Sequence, residues 1–218
     1  MLSRRVATVE PPVSVAGPRM VRVPLAMTGE APPGVALPPC QRCGSLGFTI
    51  HQRTWKRVKD PHLGRALVVR YLCKRCGYVR RAYPTGIGAS RQSRGLRHLS
   101  VLLYWIGLSY QSVRAVLLDF GCPLSTTSIR RNVEQARDTG DLERPLSRLR
   151  LQPRGNGMLR GPDGLLSLRL VRASGEARLL EAVIGPGPAA SDLHWRLMTV
   201  GRWLAHLYGP DLPPPASA

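Results

Sequence analysis

The sequence predicts a mixed α+β protein made of several parts in series. Two Cys-x-x-Cys-Gly motifs enclose alternating, strand-like segments. Apolar residues at helical spacing follow them, and the chain then alternates again before a last amphipathic helix. A length of 218 residues has room for one large domain or for two or three small ones.

The charge is the strongest compositional signal. Lys and Arg number 32 against 13 Asp and Glu, which gives a net charge of +19. Such a charge repels itself in a compact fold unless a polyanion neutralises it, and DNA is the commonest such partner. RNA and an anionic membrane surface are the alternatives. No apolar run is long enough to span a bilayer and no signal peptide is predicted, so we expect a cytoplasmic, nucleoid-associated protein without a membrane partner.

Three segments lack helical and strand periodicity. Residues 1–39 are rich in Pro and Gly and are predicted to be a disordered leader. Residues 138–154 are predicted to be a charged linker, and residues 208–218 a disordered tail. The parts between them are 40–83, 90–137 and 155–207.

Residues 40–83 are predicted to be a β zinc ribbon. Cys40 and Cys43 form one pair, Cys73 and Cys76 the other, and a glycine follows each pair. In a reducing compartment this spacing favours one structural, tetrahedral zinc ion over disulfides. Strands are expected over 48–58, 66–72 and 78–83. The alternative is four buried free cysteines.

The first ribbon strand has a basic face. Arg53, Trp55 and Arg57 alternate along it, so they lie on one side. Cations around an aromatic residue suit contact with phosphates or with an unstacked base. The alternative is a solvated face with Trp55 packed at its edge.

Residues 90–137 are predicted to form a three-helix, helix-turn-helix DNA-binding domain. Leu96, Leu99, Leu103 and Ile106 make the apolar stripe of the first helix. Ser109 and Ser125 are good N-caps for the next two helices, and Gly121 opens the turn between them. The alternative is an ordinary three-helix bundle. The residues expected to contact DNA here are Arg91, Arg94, Arg97, Thr126, Thr127, Arg130 and Arg131.

The positive charge is concentrated in these two parts. Between residues 40 and 137 the sequence has eighteen Lys or Arg and three acidic residues. Duplex DNA is therefore the expected partner, with affinity that falls steeply with salt.

The order of these motifs resembles the N-terminal half of bacterial insertion-sequence transposases of the DDE type, over about 40–137. The resemblance implies a following ribonuclease-H-like catalytic domain, in which Asp, Asp and Glu hold two divalent metals. Residues 155–164 resemble its first strand and hairpin, 165–171 and 178–184 its next strands, and 191–207 its first helix. The resemblance therefore implies a partial ribonuclease-H-like α/β piece.

Two departures from that family predict a catalytically incompetent protein. Asn156 holds the place of the first catalytic Asp, and an amide does not supply the anionic oxygen that hard metals prefer. Asp163 lies nearby, but Pro162-Asp163-Gly164 is predicted to be a hairpin turn. The strand that would carry the second Asp is not found. We therefore expect no catalytic residues, and a C-terminal piece that is poorly ordered or self-associating, with its first strand at an open edge.

Several functions remain open at this point. The first is sequence-specific double-stranded DNA binding by a truncated transposase-like protein, on element terminal repeats, as a homo-oligomer or beside an intact transposase. The second is the upstream part of an active transposase that frameshifting or a second chain completes. The third is an RNA- or ribosome-associated zinc-ribbon protein.

Overall fold

The computed structural model describes residues 17–29, 37–139, 146–172 and 178–208. Within these ranges the chain is a mixed α+β fold with four helices and two antiparallel sheets. The strands are β1 (Arg19–Leu25), β2 (Phe48–Arg57), β3 (Arg65–Cys73), β4 (Val79–Ala82), β5 (Gln152–Gly155), β6 (Met158–Gly161), β7 (Gly164–Arg172) and β8 (Arg178–Ile184). The helices are α1 (Arg94–Trp105), α2 (Tyr110–Asp119), α3 (Thr126–Thr139) and α4 (Ala190–Tyr208).

The smaller sheet has the strand order β2-β3-β4. Phe48 lies opposite Cys73 and Arg57 opposite Arg65, with one bulge near His51. The turn between β2 and β3 is closed by Asp60, whose carboxylate accepts the backbone N–H groups of His62 at 2.9 Å and Leu63 at 3.0 Å. The three strands predicted within residues 40–83 are confirmed to within one residue at each end.

Helices α1 to α3 begin at serine caps. The hydroxyl groups of Ser93, Ser109 and Ser125 accept the N–H groups of Leu96, Ser112 and Ser128 at 3.0–3.1 Å. Each bond satisfies one amide that the first helical turn leaves without a partner. Gly121 follows α2 with a φ of +71°, a conformation that glycine adopts without steric cost. The four residues of the predicted α1 stripe are all fully buried.

The larger sheet has the strand order β1-β8-β7-β6-β5, and β1 corrects the predicted disordered leader. Arg19–Leu25 pairs antiparallel with β8 over its whole length. Val21, Val23 and Leu25 alternate into the core, and this short alternation is hidden among prolines in the sequence. Pro24 is tolerated because, among the described strands, β1 lies at the edge of the sheet. The remaining described residues of the leader, 17–18, 26–29 and 37–39, form no regular element, and residues 1–16 and 30–36 lie outside the described part.

The segment around Asn156 also differs from the prediction. Residue 152, inside the predicted linker, already begins β5, and Asn156 with Gly157 forms the turn to β6. Asn156 has a φ of +52° and Gly157 a φ of +71°, as a tight Asn-Gly hairpin turn requires. Asn156 therefore lies in a turn, not within a strand. The predicted turn at 162–164 is confirmed, since Gly161 lies opposite Gly164 across the β6–β7 hairpin. The other described residues of the linker, 146–151, have no regular structure, and residues 140–145 and the tail 209–218 lie outside the described part.

One apolar core joins the helices to the larger sheet. Leu102 and Trp105 of α1, Leu168 of β7 and Leu197 of α4 belong to the same cluster of buried side chains. The predicted boundary between 90–137 and 155–207 is therefore not a boundary in the packing. Nor do residues 155–207 form a fragment of three strands: β1 and β5 extend the sheet to five. The strand β5 lies at the end of the described sheet, as expected for an open edge.

Candidate metal centre and nucleic-acid interface

The four predicted ligands converge at one end of the smaller sheet. The sulfur atoms of Cys40, Cys43, Cys73 and Cys76 all lie within 4.8 Å of one another. The Cys40 and Cys76 sulfurs are 3.6 Å apart, as are those of Cys43 and Cys73. These four side chains are close enough to hold a metal ion.

Two matching turns produce this convergence. In the first, the N–H of Gly44 donates to the carbonyl of Cys40 at 2.8 Å; in the second, Gly77 donates to Cys73 at 3.0 Å. The two glycines have φ values of +71° and +69°, which explains why a glycine follows each cysteine pair. The second turn is continuous with β3, because Cys73 is the last residue of that strand.

The surroundings of the cluster favour the thiolate form of Cys73 but oppose that of Cys76. Burial opposes ionisation of Cys73, but the backbone N–H groups of Cys76 and Arg75 outweigh it and lower the pKa of Cys73 to about 6. At Cys76 the Tyr78 N–H lowers the pKa, but burial and the three neighbouring thiols raise the pKa to about 12. Neighbouring thiolates repel one another, so full ionisation of this cluster requires a cation among the sulfurs.

The basic face predicted on β2 is present. Arg53, Trp55 and Arg57 are exposed, and Trp55 exposes 66% of its surface. On the neighbouring strand β3, Leu67 lies opposite Trp55 and Arg65 lies opposite Arg57. Directly opposed residues in an antiparallel pair share a face, so Arg65 belongs to this surface as well. Arg65 is not among the residues predicted for this face, because the register of β2 against β3 cannot be read from the sequence.

The start of α3 is accessible. Thr127, Arg130 and Arg131 are exposed and Thr126 is half-buried. The guanidinium of Arg130 donates to Glu134 one turn later at 2.7 Å. A concavity of about 500 Å³ lies between α3 and the stacked rings of Tyr104 and Tyr110, and Thr126, Thr127 and Arg130 line it.

The predicted arginines near α1 differ from one another. Arg91 and Arg94 are exposed, whereas Arg97 is half-buried. Arg97 lines a groove between α3 and the end of α4, beside Asn132 and Tyr208. Arg94 lies close to the same helix end and donates to the Tyr208 carbonyl at 3.5 Å. Arg91 is therefore the most open of the three.

Lys59 links the smaller sheet to the start of the helical segment and to the turn in its middle. Its backbone N–H donates to the Arg91 carbonyl at 2.7 Å, and its carbonyl accepts the N–H of Ser93 at 3.1 Å. Its ammonium group donates to the Pro123 carbonyl in the α2–α3 turn at 3.0 Å. Lys59, two residues after the end of β2, thus contacts a residue three positions before the start of α3.

A buried ion pair strengthens this link. Asp60 has a fully buried side chain and accepts from the Arg178 guanidinium at 2.6 Å and from the Ser93 hydroxyl at 2.5 Å. Arg178, at the start of β8, also donates to the Thr28 carbonyl at 3.2 Å. Asp60 is not among the site residues predicted from the sequence. An isolated acidic residue within a strongly basic segment is the signal that marks it.

Asn156 and Asp163, the two residues considered for a catalytic centre, do not lie together. Asn156 precedes β6 and Asp163 follows it, so they lie at opposite ends of that strand. The Asp163 carboxylate accepts the backbone N–H of Arg150. Within the described ranges, no group of three or more His, Cys, Asp or Glu side chains other than the cysteine cluster is placed to hold a metal ion.

Comparisons of this chain with protein-family models, with curated proteins and with solved structures found no match. Among the described residues there is no helix with the length and apolar character needed to cross a bilayer.

Proposed function

We propose that this protein binds double-stranded DNA in a sequence-specific manner, with one structural zinc ion at the four cysteines. The observation that carries the proposal is the juxtaposition at Lys59. Lys59 lies two residues after β2, and its hydrogen bonds to Arg91, Ser93 and Pro123 hold the end of the basic strand near the segment before α1 and near the turn before α3.

The choice of zinc follows from the ligand chemistry. Four thiolates are soft ligands, and an arrangement of four sulfurs from two Cys-x-x-Cys turns is typical of closed, tetrahedral structural zinc sites. Bound zinc supplies the positive charge that lets all four thiols ionise. The cysteines supply all four ligands, which leaves no open position for substrate, so this ion has a structural role.

The DNA-reading role of α3 follows from the geometry of α2, its glycine turn and α3. A capped helix that presents Thr127, Arg130 and Arg131 from its first two turns is similar to the recognition helix of a helix-turn-helix. Arginine and threonine there reach phosphates and base edges. Arg91 and the arginines of β2 add phosphate contacts, and the net charge of +19 supports a polyanionic partner.

We further propose that the protein is derived from a transposase and is not itself an enzyme. The order of the motifs supports the first part. The second is supported because no cluster of carboxylates within the described ranges is placed to hold a metal ion. Element terminal repeats are the DNA that this origin favours, and the nucleoid is the corresponding location.

The experiment compares two pairs of arginines. Arg130→Ala/Arg131→Ala is predicted to weaken duplex binding by about tenfold or more and to reduce the slope of affinity against salt by about 2. The matched control is Arg160→Ala/Arg169→Ala, which removes the same charge from exposed sites on β6 and β7. Arg178 is unsuitable as a control because its guanidinium is buried against Asp60. Fluorescence anisotropy across a salt series measures both effects.

Equal losses from the two pairs would show that the charge acts diffusely and that α3 is not the reading helix. Selection from a randomised duplex pool tests sequence specificity separately. Enrichment of one motif supports the proposal, and recovery of the unselected pool refutes specific recognition.

A further inference from the structure

We infer that Trp55 is a stacking platform for an unpaired base, with Arg53, Arg57 and Arg65 on the flanking phosphates. The inference deepens the proposed function and rests on it for the polyanionic partner. It adds a substrate class: nucleic acid with a locally unpaired strand, for which the smaller sheet has a preference that α3 does not share.

The first argument is exposure. Trp55 lies near the C-terminal end of β2, which is an edge strand of the smaller sheet among the described residues. It exposes 66% of its surface, whereas Trp105 in the main core is fully buried. The side chain directly opposite, Leu67, is half-buried and extends the apolar surface beside the indole. A base that covers the indole would remove apolar area from water on both partners.

The second argument is the arrangement of charge. Arg53 and Arg57 lie two residues to either side of Trp55, about 6.8 Å along the strand, and therefore share its face. Arg65 lies opposite Arg57. The sequences of β2, β3 and β4 contain no acidic residue. An aromatic ring framed by cations alone fits a polyanion that also offers flat apolar rings, which describes a nucleic acid strand.

The third argument separates an unpaired base from intact duplex. In a continuous duplex both faces of each base are covered by neighbouring bases, so an indole has no base face to contact. An unpaired or extruded base offers such a face, and stacking on it tolerates any base identity. The platform is therefore expected to recognise distortion, while α3 recognises sequence.

The test uses three DNA probes of one sequence: an intact duplex, the same duplex with a short bulge, and the single strand. Trp55→Ala is expected to lower affinity for the bulged duplex and the single strand by roughly 5- to 150-fold, and for the intact duplex by less than about twofold. Trp55→Phe should retain most of the binding, because a smaller aromatic ring still stacks. The matched control is Trp195→Ala, since Trp195 on α4 exposes 52% of its surface. This control should leave all three affinities unchanged.

Equal losses on all three probes, or none on the bulged probe, would overturn the inference. Unchanged metal content and circular dichroism show that each variant is folded. The two proposals fail separately. If Arg130→Ala/Arg131→Ala does not affect duplex binding but Trp55→Ala weakens single-strand binding, the proposed function is wrong and the platform stands. The reverse pattern refutes the platform alone.

Discussion

The smaller sheet and the body formed by the helices and the larger sheet are stabilised in different ways. In the body, four helices and four of the five strands, β1, β6, β7 and β8, share one continuous apolar core. The smaller sheet and the loop after it have a separate cluster of four buried residues, Val58, Leu63, Ala66 and Ile87, and three more side chains of β3 are buried, Val68, Val69 and Tyr71. A core of this size does not by itself offset the entropy of ordering three strands, and small units of this kind usually need a cross-link. We propose that a metal ion at the cysteine cluster does for the smaller sheet what the apolar core does for the body.

The same difference applies to the proposed binding surfaces. In the smaller sheet the side chains of β2 are mostly exposed, and these include Arg53, Trp55 and Arg57. The body buries most of its apolar residues and presents a single helix, α3. If the two regions differ in this way, changes to the cysteine cluster and changes to the body should have separable effects.

Removal of the metal ligands should separate the two regions most clearly. We predict that Cys73→Ser/Cys76→Ser abolishes binding of one zinc ion per chain and unfolds the smaller sheet, while the helices persist. Structural zinc contributes about 10–16 kcal/mol to the folding of such small units. Metal analysis measures the first effect, and amide hydrogen exchange resolved along the sequence measures the second.

The control for this prediction is Cys122→Ala. Cys122 is buried in the main core beside the α2–α3 turn, away from the cluster. This variant should retain the metal and the exchange protection of β2 and β3. If the double serine variant kept its zinc, or if the whole chain lost protection at once, the two regions would not differ in the way proposed.

The buried ion pair between the regions has the next largest expected effect. Asp60→Ala leaves the Arg178 guanidinium buried without its partner, which typically costs 3–5 kcal/mol. Arg178→Ala should cost a similar amount, and the double variant much less than the sum, because each single change leaves one buried charge uncompensated. Urea denaturation of the three variants gives these free energies of unfolding. Additive effects would mean that Asp60 and Arg178 stabilise their own regions independently.

Local signals in the sequence were sufficient for most of the smaller sheet and for α1 to α3. The glycine after each cysteine pair, the capping serines Ser109 and Ser125 and the α1 stripe depend on contacts within a few residues, and each is confirmed. The Ser93 cap of α1 was not predicted. The errors concern long-range partners. The strand β1 pairs with residues about 160 positions away, and Asp60 pairs with Arg178 across 118 positions. No local pattern specifies such partners, so a strand among prolines was interpreted as a disordered leader.

The case of Asn156 shows a different limit. Its place before a glycine matches a family position, but the same Asn-Gly pair is also a strong signal for a hairpin turn, and the structure follows the turn chemistry. The candidate site divides in the same way. The cysteine cluster could be predicted from spacing alone, whereas Arg65 joins the β2 face only through the register of two strands.

The smallest predicted effect is a pH dependence that arises in the body and not in the smaller sheet. His98 of α1 is fully buried, stacks on Tyr208 at 4.9 Å between ring centroids, and accepts the Ala26 N–H on Nδ1 at 3.0 Å. The neutral ring therefore carries its proton on Nε2, which has no hydrogen-bond partner within the described residues. A second proton would occupy Nδ1 and break the bond to Ala26. Burial accordingly lowers the pKa of His98 to about 3.

Because the pKa of His98 is lower in the folded state than the usual 6.5, the unfolded chain binds more protons between these two values. The stabilisation of the fold by neutral His98 is complete above about pH 6.5 and is lost as the pH falls towards 3, by up to roughly 1.4 kcal/mol per pH unit.

Unfolding free energies at about pH 7 and about pH 5.5 should therefore differ more in the unmodified protein than in His98→Asn, which does not titrate. His51→Asn, on the exposed face of β2, should keep the full dependence. Acid release of zinc affects all three proteins alike, so the difference between them isolates His98. Identical pH dependence in the unmodified protein and His98→Asn would show that acid destabilises the protein through the cysteine cluster and not through the body.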